Sequence, residues 1–170
     1  NYTEVHRRQG GWLLDQRGAP AGARRFLHYP LLVLFFPHLI AGPILRVRDV
    51  EAPFADPATW RVSAGNLAAG SAFFLIGLLK KTLLANPLGA LVAPGFDDPA
   101  TLGVLAAWGA ALAWSFQLYF EFSGYSDMAV GLGRMFGVRM PVNFASPYKA
   151  QSVIDYWQRW HITLTRFLLS

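Results

Sequence analysis

The stretch DYWQRWHITL, Asp155 to Leu164, sets one histidine directly after the second of two tryptophans and close to an arginine. His161 is the side chain best suited to proton chemistry, because an imidazole titrates near neutral pH and its neutral form can take a proton from a hydroxyl. In an apolar pocket that step is general-base acyl transfer, with the hydroxyl attacking a thioester. The same ring can instead position a substrate, or serve as a core side chain satisfied by one hydrogen bond. Read as a helix at about 100° per residue, the stretch puts Asp155, Arg159, Thr163, Arg166 and Ser170 on one polar stripe. His161 then falls almost opposite, beside Trp157, Leu164 and Leu168. Gln158 and Thr165, at i−3 and i+4, border that face and can orient the ring, while Trp157 and Trp160 supply flat walls for a pocket. Arg159 lies on the polar stripe with Asp155, at i−4, as its partner.

Other chemistries find less support. The chain has no cysteine, which removes disulfides, thiolate metal sites and a cysteine nucleophile. Its four histidines, His6, His28, His38 and His161, include no i, i+4 pair of the kind that holds a metal on one helix, so no metal site is predicted. GLGRMFG follows no strand and sits in a helical pattern, so its glycines read as packing surfaces rather than a nucleotide loop. FSGYSDM lacks the G-x-S-x-G elbow of a serine hydrolase and reads as a capped helix start. The net charge of +5 is carried largely in pairs, Arg24 with Arg25, Arg46 with Arg48 and Lys80 with Lys81, that flank apolar runs. That is a juxtamembrane arrangement, and no nucleic-acid partner is expected.

The elements that must hold His161 are those of a membrane protein. Of 170 residues, 54% are hydrophobic and 15% charged, with a mean hydropathy of +0.30. Residues 1–25 read as a polar loop outside the bilayer. Residues 26–45, FLHYPLLVLFFPHLIAGPIL, are long enough to span, but Pro30, Pro37 and Pro43 imply either a kinked helix or a broken, re-entrant segment. Residues 66–84 form a second expected span, with Gly70, Ser71 and Gly77 as close-packing surfaces and Lys80 and Lys81 at its end. Residues 86–99 read as a loop or interfacial turn, and residues 101–122 as a third span whose aromatics Trp114, Phe116, Tyr119, Phe120 and Phe122 suggest an interfacial belt. Gln117 and Glu121, at i, i+4, are costly in lipid and should face protein or water. Amphipathic helices are expected over residues 123–138, with Gly133 and Gly137 for packing, and over residues 151–170. The fold expected is all-α, an internal part of a polytopic transmembrane helical bundle with broken or re-entrant helices and amphipathic interfacial helices.

Three blocks carry a family resemblance: FFPHLIAGPILR, QLYFEFSGYSDMAVGLGRMFGVRMPVNFASPY and SVIDYWQRWHITLTRFL. Together they resemble the bacterial membrane-bound O-acyltransferase family, nearest to the membrane subunit of alginate O-acetylation and more distantly to the teichoic acid D-alanyl transfer protein. The resemblance implies a multi-pass enzyme of the bacterial cytoplasmic (inner) membrane. It would move acyl groups from a thioester donor, acyl-CoA or an acyl carrier, to hydroxyls of an extracytoplasmic polysaccharide such as alginate, with no bound cofactor. Membrane lipids and a soluble periplasmic acetylation protein are the further partners implied. His161 matches the histidine of a W-x-R-W-H-x-[ST]-L block. The base usually assigned in the family lies in a further Leu-Trp-His-Gly-like stretch absent from this chain, so His161 is expected to support the site or contact substrate. Gln158 stands where relatives often have arginine, and Glu121 where they often have aspartate. Two other classes fit parts of the pattern. Broken helices with intramembrane Gln117 and Glu121 would also suit a transporter or channel subunit, though no internal symmetry is visible. A soluble helical protein with an unusually apolar core would have to accommodate the uncharged run from Thr101 to Phe120.

Overall fold

The computed structural model describes residues 33–38, 42–46, 49, 53, 54, 56, 59, 61–97 and 102–169. Residues 1–25, His28 and residues 47, 48, 50–52, 55, 57, 58 and 60 lie outside the described residues, as does the side chain of His38. Every regular element among the described residues is helical. They are α1 (Ala64–Leu79), a π-helical segment (Lys80–Ala85), α2 (Asn86–Asp97), α3 (Val104–Met135), α4 (Val153–Arg159) and α5 (Ile162–Leu168), with short 3-10 turns at Phe36–His38 and Pro147–Lys149.

α1, the π segment and α2 run on as one helix of 34 residues, Ala64–Asp97, the one described helix both long and apolar enough to cross a membrane. The expected loop over residues 86–99 is therefore helical as far as Asp97. Pro87 is the reason to expect a break, since it lacks an amide proton and crowds the carbonyl four residues back. The π segment lies immediately before it. There the Asn86 N–H reaches five residues back to the Lys81 carbonyl, and the wider turn lets the chain pass the proline without ending the helix.

α3 lies antiparallel along this helix and is itself continuous through Ser123, so the expected helix start in FSGYSDM is overturned. Ser123, Gly124 and Ser126 are buried spacers within one 32-residue helix. The helices touch backbone to backbone. A Cβ on Gly70 would meet the Gly131 carbonyl at 2.6 Å, and one on Gly77 would meet the Gly124 carbonyl at 2.5 Å. Gly70 and Gly77 thus serve the contact expected of them. Gly133 and Gly137 pack closely too, though not against a helix: Gly133 lies against Met140, and a Cβ on Gly137 would stand 2.9 Å from the Thr59 carbonyl oxygen. Gly137, at φ +79°, ends α3 with Val138 N–H bonding the Gly133 carbonyl and Gly137 N–H the Arg134 carbonyl.

The register between the two helices differs on the two sides of the π segment. Between the Gly77–Gly124 contact and the Gly95–Ala110 contact the first helix advances from 77 to 95 while α3 runs back only from 124 to 110.

The first apolar run is not a plain spanning helix where it is described. Phe36–His38 form a 3-10 turn, and Gly42–Arg46 lie outside any helix. Phe35 and Leu45 from this run are buried with Ala129 and Val130 of α3 and with Val138 and Met140 beyond it. A non-helical backbone here is tolerable because protein, rather than lipid, covers it.

Candidate functional site

The expected single helix over residues 151–170 is two helices with His161 at the break. Trp160 is extended, at φ −91° and ψ 125°, and His161 is left-handed, at φ 44° and ψ 56°. A left-handed backbone is uncommon for any non-glycine residue, though histidine is among the more frequent exceptions, and a residue held there needs external support. That support comes from the segment Asn143–Ala145. Ala145 N–H bonds the Arg159 carbonyl at 3.0 Å, Ile162 N–H bonds the Asn143 carbonyl at 2.9 Å, and Thr163 N–H bonds Asn143 Oδ1 at 3.1 Å. These are the groups that a continuous helix would have paired internally, so the tertiary bonds replace the rungs that the break removes. The residue types alone permit a helix here, and the competing partner lies outside the local pattern.

Thr163 extends the tie. Its hydroxyl donates to Asn143 Oδ1 at 2.9 Å and accepts from the Ile44 N–H at 3.0 Å, and Arg46 donates through Nη2 to the Arg166 carbonyl at 3.0 Å. The non-helical part of the first apolar run is thereby fastened along α5. Thr163, expected on the polar stripe, is buried instead, and spacing alone assigns Asn143 no role. The signal lay in VNF and HIT, a buried-type amide and a hydroxyl next to otherwise apolar residues.

The imidazole lies 6.0 Å, ring to ring, from Phe144. Its Nδ1 is buried and has no hydrogen-bond partner. Burial lowers its pKa from the ordinary value, partly opposed by a hydrogen-bonding contribution from its own backbone, so the neutral form is favoured. A neutral imidazole keeps one unprotonated nitrogen, which can accept a proton from a hydroxyl.

The expected neighbours take other places. Thr165 does not reach across one helix face to the ring: its hydroxyl donates to the Trp157 carbonyl at 3.0 Å, clasping α5 to α4 across the break. Gln158 is exposed on α4, and Trp157 is 51% exposed, with Tyr156 as its ring neighbour at 5.6 Å. Trp160 is half-buried, stacked on Tyr156 at 5.7 Å and edge-on to Phe144 at 5.1 Å. Tyr119 and Tyr148 extend this aromatic cluster to α3, where the Tyr148 hydroxyl donates to the Ser115 carbonyl at 2.6 Å. Part of the expected aromatic belt of α3 is thus the surface on which the His161 region docks. Arg159 donates through Nε to Asp155 Oδ1 at 2.6 Å, the i−4 pairing expected, and this bond holds the Asp155 carboxyl below its ordinary pKa.

Gln117 and Glu121 face protein, as their cost in lipid requires. Gln117 lies against Gly89 of α2, and Glu121 is paired with Lys81, while Lys80 pairs with Asp127 at 2.5 Å. Lys80 and Lys81 therefore do not mark the end of a span. They occupy the middle of the long helix, three and four residues beyond Gly77 on the face that meets α3, a spacing that could have placed them there. Among the described residues no group of three or more His, Asp or Glu side chains could hold a metal ion.

Among the described residues the fold is all-helical, with one helix long and apolar enough to cross a membrane packed on a glycine-faced partner. The model of MBOAT, the membrane-bound O-acyltransferase family, matches residues 20–170, and the chain belongs to that family. It is 48% identical over 143 residues to a peptidoglycan O-acetyltransferase of Helicobacter pylori, covering 84% of this chain and 27% of that protein. It is 43% identical over 154 residues to a "Probable alginate O-acetylase AlgI" of Pseudomonas aeruginosa, covering 89% and 28%. A teichoic acid D-alanyltransferase of Bacillus subtilis is 31% identical over 137 residues, covering 78% and 34%. The chain spans less than a third of the length of the first two relatives.

Proposed function

We propose that the intact protein carrying this chain is an O-acyltransferase that moves an acetyl group from a thioester donor to hydroxyls of an exported polysaccharide. The relatives named for alginate and for peptidoglycan O-acetylation support the acceptor class. On this reading the protein is multi-pass in the bacterial inner membrane, with residues 26–45, 66–84 and 101–122 within its spans. Lipid surrounds it, acyl-CoA or an acyl carrier reaches it as co-substrate, and a soluble periplasmic protein is its acetylation partner.

The observation that carries the reading is His161, whose buried Nδ1 is unengaged and whose backbone is held left-handed by Asn143. In the reaction the acceptor oxygen attacks the thioester carbonyl carbon, the carbon–sulfur bond breaks, and the hydroxyl proton ends on the departing thiol. His161 contacts or orients the reacting hydroxyl, with the aromatic rings of Trp157 and Trp160 and the polar Gln158 and Thr165 around the same break. The intramembrane polar residues that would suit a transport path are engaged in helix packing, Glu121 by Lys81 and Gln117 against Gly89, which favours the enzyme over a channel. The test is His161→Ala in the intact protein. Loss of acetyl ester from the polysaccharide at normal membrane abundance supports the role, and unchanged ester content overturns it.

A further inference from the structure

His161 occupies the N-cap position of α5, where a polar side chain ordinarily turns back to bond the first free amides of its helix. Its side chain makes no such bond. The amides are nevertheless satisfied. Ile162 N–H goes to the Asn143 carbonyl and Thr163 N–H to Asn143 Oδ1, while the Leu164 and Thr165 N–H groups bond the His161 carbonyl at 2.9 and 3.1 Å. Asn143 is 2% exposed, and its Oδ1 also accepts the Thr163 hydroxyl proton. The hydrogen bonds favour this amide orientation, because a reversed side chain would point its NH2 at the Thr163 N–H, and it leaves Asn143 Nδ2 buried without a partner.

We propose that Asn143 is the positioning residue of the His161 site: it caps α5 in place of the histidine, so that the imidazole is released from capping and its backbone is fixed in the left-handed conformation. Thr163 is the second member of the device, since its hydroxyl locks Asn143 Oδ1 and ties it to Ile44. The proposal rests on the reading of His161 as a working residue of acyl transfer, but its geometry can be tested apart from that reading.

The experiment uses the intact protein in detergent with isotope-labelled histidine, the His161 resonance being assigned by its loss in His161→Gln. Asn143→Ala and Thr163→Val are expected to move the His161 resonance and raise its pKa toward the ordinary value as the ring leaves its buried setting. Thr163→Ser, which keeps the hydroxyl, is expected to match wild type. In parallel, acetyl transfer from labelled acetyl-CoA is followed to whichever of alginate or peptidoglycan fragments the wild type esterifies. Asn143→Ala and Thr163→Val are expected to lower kcat about 10²-fold with KM little changed, as for a misplaced reacting group. Should Asn143→Ala fail to fold, the contrast of Thr163→Val with Thr163→Ser decides. A His161 resonance and pKa unmoved in the folded variants would overturn the positioning role. Full activity of His161→Ala with those shifts present would overturn the catalytic reading and leave the positioning role standing.

Discussion

Gly77 and Gly124 meet backbone to backbone: a Cβ on Gly77 would stand 2.5 Å from the Gly124 carbonyl oxygen and 2.7 Å from the Met128 nitrogen. Neither neighbour is the end of a flexible side chain, so Gly77→Ala must push the two long helices apart, at a cost of about 1–3 kcal/mol. Gly109→Ala on α3, where nothing lies within 4 Å, should leave stability unchanged or raise it by up to about 1 kcal/mol through helix propensity. Denaturant unfolding of the intact protein in detergent distinguishes the two. Equal effects at both positions would contradict the close contact.

The Lys81–Glu121 and Lys80–Asp127 pairs lie between the same helices, each side chain about a quarter exposed. Removing one partner leaves a half-buried charge uncompensated, whereas reversing both keeps the pair. Lys81→Glu and Glu121→Lys should each destabilise. Combined, the two should recover most of the loss, giving a coupling of about 0.5–3 kcal/mol in a double-mutant cycle.

Burial holds the His161 pKa below its ordinary 6.5, so as pH falls the unfolded chain takes up a proton there before the folded chain does. The folded state therefore loses stability as pH drops from above the ordinary value through the lowered one, and this group has no effect at higher pH. Unfolding midpoints at about pH 7.5 and about pH 5 should fall further for wild type than for His161→Gln, which does not titrate. Equal falls would contradict the buried, neutral ring.

The Thr165 hydroxyl closes the break by bonding the Trp157 carbonyl. Thr165→Val should cost about 1 kcal/mol, the ordinary net worth of one hydrogen bond. Faster amide exchange should be confined to α4 and α5. Protection lost equally in α3 would show that the clasp does not act locally.

What could be read from residue order was what depends on near neighbours. The all-helical class followed from apolar periodicity, the Asp155–Arg159 pair from i, i+4 spacing, and the Gly70 and Gly77 contact from small residues on one face. His161 stood out through its chemistry. What could not be read depended on partners distant in sequence. Nothing local to WQRWHIT announces the break, because the bonds that replace its helical rungs come from Asn143 and Ala145. Prolines and serines, read as stops, gave way to context: the π segment precedes Pro87, and the helix around Ser123 uses the small residues as spacers against α1. Lys80 and Lys81 read as the end of a span because the acids that neutralise them lie on another helix.

The most direct test of the account supplies membrane vesicles of the intact protein with acetyl-labelled thioester donor and exported polysaccharide, and counts base-labile label on the polysaccharide. Wild type is predicted to deposit it, and His161→Ala, at equal abundance and with the same unfolding midpoint, to deposit almost none. Equal labelling by the two proteins would contradict the claim that the histidine held at the α4–α5 break serves the transfer.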